Sequence, residues 1–385
     1  ESLGLDYLGP GDGHDLAYLL GALSGIRERV PLRPVVLHLR TQKGRGYLPA
    51  EEHPEFFHGV GPNQAADKIS SVSPVRLETY SERASRAVIR VALDDARICA
   101  VSAAMLEGTG LAEFGRKYPA RTIDVGIAEP HAVTFAAGMA AAGLRPFVAI
   151  YSTFLQRAID SLIHDVGIQG LPVVVGVDRA GVVGQDGPTH HGLFDLVYLG
   201  MIPHFKVIAP GCLSDVDYAV GAAFGDGGPV AIRYPRGSGR EVLEGNGTPE
   251  FRVHQEVADP EWILVALGTT APRAAAATLV LGREGIRVTC VSTIFAKPIA
   301  SELVSYLRGL KRAGVITLED GVIRGGFGQA LRLELGHRSS PFEHIGYGDE
   351  FVPQGTVEEL EAILGLDSNG IVRRVKELKS QVHEE

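Results

Sequence analysis

Thr122-Ile-Asp-Val-Gly-Ile-Ala-Glu129-Pro-His131 runs directly into Ala132-Val-Thr-Phe-Ala-Ala-Gly-Met-Ala-Ala-Ala-Gly143 and then into Pro146-Phe-Val-Ala149. A short apolar run (122–125) stops at a glycine, a helical pattern of small residues spans 128–142, and a second apolar run starts at 146. Strand, helix, strand within so few residues is a βαβ unit, whose crossover makes the two strands parallel. Glu129 falls at the strand-to-helix turn, where open sheets of this kind place ligands. Flanked by Ile127 and Ala128 it is partly desolvated, although a lone glutamate there equally satisfies backbone N–H groups and the helix dipole.

The same alternation extends outward from this unit. Short apolar runs at 98–102, 173–177, 206–209 and 230–234 read as further strands, and 154–168 reads as another helix. Past residue 260 the pattern restarts at 262–267, 287–291 and 314–318, with an alanine-rich helix after the first run. The fold class is therefore α/β, with doubly wound, mostly parallel open sheets in two successive blocks. Before them lies a shorter α/β stretch, a helix at 15–29 and a strand at 34–40, and residues 59–74 turn to Gly, Pro, Asn and Ser. The expected organisation is 1–60 as the tail of a preceding domain, 61–79 as linker, 80–243 as one domain and 250–385 as another.

Composition narrows the function. The 385 residues are 45% hydrophobic and 22% charged with a formal charge of -9, which leaves no basic footprint for nucleic acid. Cys99, Cys212 and Cys290 are scattered, forming neither a zinc spacing nor a disulfide framework, and suit a reducing cytoplasm. No apolar run reaches the length of a membrane span and no signal peptide is visible. The chain opens on Glu1 in mid-pattern, which reads as a piece of a longer protein.

Chemistry-bearing residues gather where strands end. Tyr151-Ser-Thr-Phe154-Leu-Gln-Arg157 supplies an aromatic platform and a guanidinium; Asp178-Arg179-Ala-Gly and Asp186-Gly-Pro-Thr-His190-His191 add acids, an arginine and two histidines; Tyr234-Pro-Arg236 adds another arginine. One arginine after a strand is commonly a surface ion pair, and His191 reads as a structural hydrogen-bonder. Several arginine forks together suit a phosphate. Earlier in the chain, Lys43, Arg45 and Tyr47 in Thr41-Gln-Lys-Gly-Arg-Gly-Tyr47, with His58, could meet phosphate or a ring, and equally read as a solvated turn. Gly11-Asp12-Gly13 invites a metal reading, but the next asparagine, Asn63, is too far away; a turn before the helix is preferred. Arg324-Gly-Gly-Phe-Gly328 lacks the full dinucleotide spacing and is taken as a packing turn.

These segments, from Lys43-Gly-Arg-Gly-Tyr47 through Ile127-Ala-Glu129 and Asp186-Gly-Pro-Thr-His190 to Tyr234-Pro-Arg-Gly237, resemble the 1-deoxy-D-xylulose-5-phosphate synthases, a branch of the transketolase-like thiamine-diphosphate enzymes. The resemblance implies a pyrimidine-binding domain and a transketolase C-terminal domain preceded by the tail of a diphosphate-binding domain. It implies condensation of pyruvate with D-glyceraldehyde 3-phosphate and release of CO2, with thiamine diphosphate and Mg²⁺ as cofactors and a homodimer as the assembly. The metal site would lie in an amino-terminal part outside this chain. By the same likeness Glu129, His190 and His58 are catalytic, and Tyr47, Lys43, Glu129 and Phe154 hold the cofactor. Tyr151, Arg157, Arg179, Asp186, His190 and Arg236 would hold the substrate. Pro130 stands where the family has glutamine, tolerable because the N–H lost at a first helical turn is unpaired anyway. A transketolase, a 2-oxo-acid dehydrogenase subunit and a non-catalytic scaffold are the alternatives. A ketose donor without CO2 release would mark the first and a lipoyl partner the second, while an intact gene for the missing amino-terminal domain would count against the third.

Overall fold

A computed structural model describes residues 2–29, 33–52, 54, 57 and 77–384, and the chain divides into two compact units, Glu1–Arg76 and Leu77–Glu385. His58 and the linker residues 61–76 lie outside the described residues.

In the first unit, β1 (Asp6–Asp12) pairs in parallel with β2 (Val35–Arg40), and α1 (Leu16–Arg29) connects them. The sequence reading missed β1 because Gly9-Pro10-Gly11 argues against a strand; the register shifts between Leu8 and Gly11, where Pro10 has no N–H to give. Asp15 caps α1, its Oδ1 accepting the N–H groups of Ala17 (2.9 Å) and Tyr18 (3.1 Å). Asp12 Oδ1 accepts the His14 N–H at 2.8 Å, the turn expected there. The loop carrying Lys43 and Tyr47 follows β2 and leads into α2 (Leu48–Glu52). Gly46 N donates to Glu51 Oε1 at 2.8 Å, which closes the loop on that helix.

The second unit contains two sheets. One has seven strands in the order β13-β7-β8-β6-β5-β3-β4: β3 (Ile98–Ser102), β4 (Thr122–Asp124), β5 (Arg145–Tyr151), β6 (Val174–Asp178), β7 (Lys206–Ile208), β8 (Val230–Arg233) and β13 (Phe295–Lys297). All pair in parallel except β13, which runs antiparallel to β7. The other has six, β15-β14-β11-β12-β10-β9, with β9 (Asn246–Gly247), β10 (Arg252–Gln255), β11 (Trp262–Leu267), β12 (Val288–Thr293), β14 (Gly314–Val322) and β15 (Phe342–Tyr347). Its four main strands are parallel, and β10 and β9 extend the edge antiparallel. Strands β3, β6, β8, β11 and β12 are buried at every position, which is why most of them begin as apolar runs in the sequence, although β12 also buries Thr289, Ser292 and Thr293.

Helices cover both faces of the seven-stranded sheet. One core holds α3 (Tyr80–Asp94), opened by a Thr79–Glu82 capping box, and α5 (Leu213–Asp226). The other holds α4 (Glu129–Ala141), whose Ala132, Val133, Ala136 and Ala140 lie against Val148 and Ile150. Small residues let α4 approach β5 closely, which fixes where its first residue falls. The helix expected at 154–168 is present as an unbroken but irregular helical run from Ser152 to Gly167, which tightens at Gln156–Ala158 and widens to a π-type turn at Leu162–Gly167.

The glycine-rich segment after β14 is a packing turn built around Glu319. That carboxylate accepts the first N–H groups of the helix Phe327–Leu335: Oε2 from Phe327 at 2.7 Å and Oε1 from Gly328 at 2.9 Å. A Cβ on Gly326 would stand 2.2 Å from Glu319 Oε2, and one on Gly328 would stand 2.2 Å from Thr317 Oγ1. Burial pushes the Glu319 carboxyl up to about 7, against the pull of those two N–H groups and of Arg233. A raised folded value favours the protonated native state, so the contribution is complete below the ordinary glutamate range and is lost as pH rises through about 7. Urea unfolding of wild type and Glu319→Gln across pH 5–8 checks this. The wild type should lose stability with rising pH by up to ~1.4 kcal/mol per unit relative to the variant, and parallel profiles would refute the assignment.

Candidate active site

The site lies at the carboxyl edge of the seven-stranded sheet. After β4 the chain turns through Gly126, whose φ is +74°, and starts α4 at Glu129. Helix α4 begins with no side-chain cap, so the early N–H groups of the helix add partial positive charge around a carboxylate only 4% exposed. Glu129 Oε1 accepts from Arg157 Nη1 at 3.1 Å. The pairing joins a residue read from the sequence as cofactor-binding to one read as substrate-binding.

From the end of β5, Tyr151 and Phe154 stack with centroids 5.7 Å apart and planes 13° off parallel. Around this pair stand Arg179, 4.1 Å over the Tyr151 ring, Arg157, 5.3 Å over Phe154, and His190, edge-on to Phe154 at 5.5 Å. Glu129, Tyr151, Phe154, Arg157, Arg179 and His190 are thus brought together by direct contacts, as the strand-end reading expected. Arg236 pairs with Asp186 at 2.6 Å and also donates to the Val183 carbonyl at 3.2 Å. Both charges act on the Tyr151 phenol, so they belong to the same constellation. Burial pushes that phenol up to about 12, with Arg179 pulling the other way.

Each arginine carries an acid: Arg157 with Glu129, Arg179 with Asp178 at 3.1 Å, Arg236 with Asp186. Asp178 is fully buried, and desolvation pushes it up to about 6 in spite of Arg179. Arg179 itself sits at φ +57°, the left-handed region that residues other than glycine enter uncommonly. His191 is structural: Nδ1 accepts the Val183 N–H at 3.1 Å, which leaves Nε2–H to donate to the Pro353 carbonyl at 3.1 Å.

Other parts of the site escaped the sequence. Gly108 leaves room for Tyr151, since a Cβ there would stand 2.2 Å from the hydroxyl. Gly192 and Gly181 bridge two strands of the loop, and a Cβ on Gly192 would lie 2.5 Å from both the Arg179 carbonyl and Ser152 Cβ. Ser152 and Asp195, bonded at 3.0 Å, are forty-three residues apart with no motif between them. Lys43 and Tyr47 belong to the first unit, where Lys43 is exposed and Tyr47 meets Phe57 edge-on at 5.6 Å. Among the described residues no group of three or more His, Cys, Asp or Glu side chains is arranged to hold a metal.

Comparison with known proteins agrees with this geometry. Residues 79–241 match the family model for the transketolase pyrimidine binding domain and residues 252–371 that for the transketolase C-terminal domain. The chain is 42% identical to the 1-deoxy-D-xylulose-5-phosphate synthase 1 of Geobacter sulfurreducens over 96% of its own length and 59% of the relative's. It is 41% identical to the synthase of Clostridium beijerinckii over 98% of its own length and 61% of the relative's. The chain thus spans about 60% of the curated relatives it matches. Among solved structures, a split-gene transketolase described as an inactive beta4 tetramer aligns with a TM-score of 0.67 at 25% identity, over 77% of this chain and 97% of that one. The transketolase of Leishmania mexicana, at 18% identity and a TM-score of 0.67, shares the fold. Two transketolase domain models in tandem, covering both sheets and every strand-end residue of the site, establish that this chain belongs to the transketolase-like family that includes the 1-deoxy-D-xylulose-5-phosphate synthases.

Proposed function

We propose that the chain is the pyrimidine-binding and C-terminal part of a thiamine-diphosphate-dependent synthase that joins pyruvate to D-glyceraldehyde 3-phosphate, releasing CO2 and forming 1-deoxy-D-xylulose 5-phosphate. That product opens the non-mevalonate isoprenoid route and feeds thiamine and pyridoxal phosphate synthesis. The observation that carries the reading is the buried Glu129 at the start of α4, beside an aromatic stack and a ring of arginines.

The donor set suits the aminopyrimidine half of the cofactor. A buried carboxylate can share a proton with the ring nitrogen N1′, and the Phe154 face offers a stacking surface for the same ring. When bound, thiamine diphosphate supplies a nucleophilic carbon on its thiazolium ring. Glu129 holds the proton at N1′, and Arg157 orients that carboxylate. Arg179 and Arg236 receive the acceptor phosphate, and Tyr151 and Asp186 meet its hydroxyls. His190, anchored through Thr189 Oγ1 at 2.9 Å from Nδ1, holds a proton near the reacting carbonyl. Family likeness also gives Lys43 and Tyr47 cofactor roles and His58 a catalytic one, and it puts the Mg²⁺–diphosphate site in the part of the relatives this chain does not span. Family likeness favours a homodimer, and three buried free thiols suit a reducing cytoplasm. No helix of the described residues is long and apolar enough to cross a membrane.

The protein extended to its relatives' full length, given pyruvate, glyceraldehyde 3-phosphate, cofactor and Mg²⁺, should release one CO2 per ketose phosphate formed. Two-carbon transfer from a ketose donor without CO2 would make it a transketolase instead. Glu129→Gln should lower kcat by ~100-fold or more while leaving the thermal transition in place, and wild-type turnover in that variant would remove the central assignment. Arg236→Ala should raise KM for glyceraldehyde 3-phosphate by ~10-fold with pyruvate KM unchanged, the loss of one charge-assisted contact; an unchanged acceptor KM would take Arg236 out of the phosphate site.

A further inference from the structure

Behind the aromatic stack lies a buried ionic chain with no part in the mechanism above. Asp195, the first residue of the short helix Asp195–Gly200, is completely buried, and Arg233 at the end of β8 is 5% exposed. Asp195 Oδ1 accepts from Arg233 Nε at 3.0 Å and from the Leu196 N–H at 2.7 Å; its Oδ2 accepts from Ser152 Oγ at 3.0 Å. Arg233 in turn donates Nη2 to the Asp320 carbonyl in β14 at 2.8 Å, and Asp320 Oδ1 accepts from the Tyr347 hydroxyl at 3.0 Å.

Ser152 is the link to the site. It stands between Tyr151 and Phe154, and it is held twice: its hydroxyl by Asp195, its carbonyl by the Tyr198 hydroxyl at 3.2 Å. The residues on either side of it form the stack on which Arg157, Arg179 and His190 rest. Side chains near a ligand are placed accurately when their neighbours' rotamers are locked by bonds of this sort.

We propose that Asp195 is a positioning residue: through Ser152 it fixes the Tyr151–Phe154 stack, and through Arg233 it ties that stack to β14 of the C-terminal domain. The chain of bonds is Tyr347, Asp320, Arg233, Asp195, Ser152, stack. It gives the six-stranded sheet a direct hold on the site although none of its strands supplies a residue to the stack.

The proposal rests on the stack being the ligand site, so the test reads position and binding separately. In the protein with isotopically labelled histidines, the His190 ring protons report the Phe154 ring current. Ser152→Ala removes one bond and leaves the ion pair whole; it should move the His190 resonances toward their values in free histidine and weaken inorganic phosphate binding, measured calorimetrically, by ~10-fold. Asp195→Asn should shift the same resonances, and the double variant should bind phosphate no more weakly than the poorer single one, since the hold of Asp195 on the stack passes through the Ser152 hydroxyl. Unmoved His190 resonances in Ser152→Ala, with only the unfolding midpoint changed, would overturn the proposal; so would additive losses in the double variant. If the wild type binds no phosphate while the resonances still shift, the positioning role stands and the assignment of the site to a phosphorylated substrate falls.

Discussion

Two opposite charges removed from water are held in place only when each has its full set of partners, because the desolvation of either alone outweighs what a poor contact returns. Asp195 and Arg233 meet that condition, and their partners come from different strands: Ser152 follows β5, Arg233 ends β8, and the Asp320 carbonyl belongs to β14. The carboxyl edges of two sheets are thereby fixed with respect to one another. Lys297 adds a second fastening, donating Nζ to the carbonyls of Gly200 and Ile202, next to β13, which completes the seven-stranded sheet from within the C-terminal sequence. The C-terminal domain is accordingly part of the framework of the site, beyond any role of its own.

That framework explains the electrostatics of the edge. The chain carries a formal charge of -9, and the three arginines of the site are each matched by an acid. On the proposed reading, anion binding would rest on guanidinium groups held at set positions, those of Arg157 and Arg179 over aromatic faces, and not on a large net positive field. The left-handed backbone of Arg179 is a local cost of that placement, and beside it Asp178 Oδ2 is buried with no hydrogen-bond partner among the described residues.

Much of the fold was legible because parallel strands buried on both faces are continuous apolar runs: 98–102 and 262–267 fall on β3 and β11 as read. Strand β1 was not, since Gly-Pro-Gly denies it, nor was β13, whose three residues follow β12 almost without a break. Residues 154–168 carry a helical pattern, yet the turns there widen to fit against α4, a tertiary effect without a local signature. Within the site, residues at strand ends could be found because topology puts such ends together. The Ser152–Asp195 bond could not, for a serine beside a conspicuous tyrosine and an aspartate beyond two histidines share no spacing rule.

The pairing of Glu129 with Arg157 sets a fixed group against an exposed one. Glu129 is nearly sealed, fixed by α4 and by the small residues that press that helix onto β5. The side chain of Arg157 is 58% exposed on a short 3-10 turn, so its end of the bond is solvated and its contribution to stability is small. On the proposed reading, a ring nitrogen approaching the carboxylate would meet one rigid partner and one held at little cost, and that second partner already lies over the Phe154 face, at 5.3 Å.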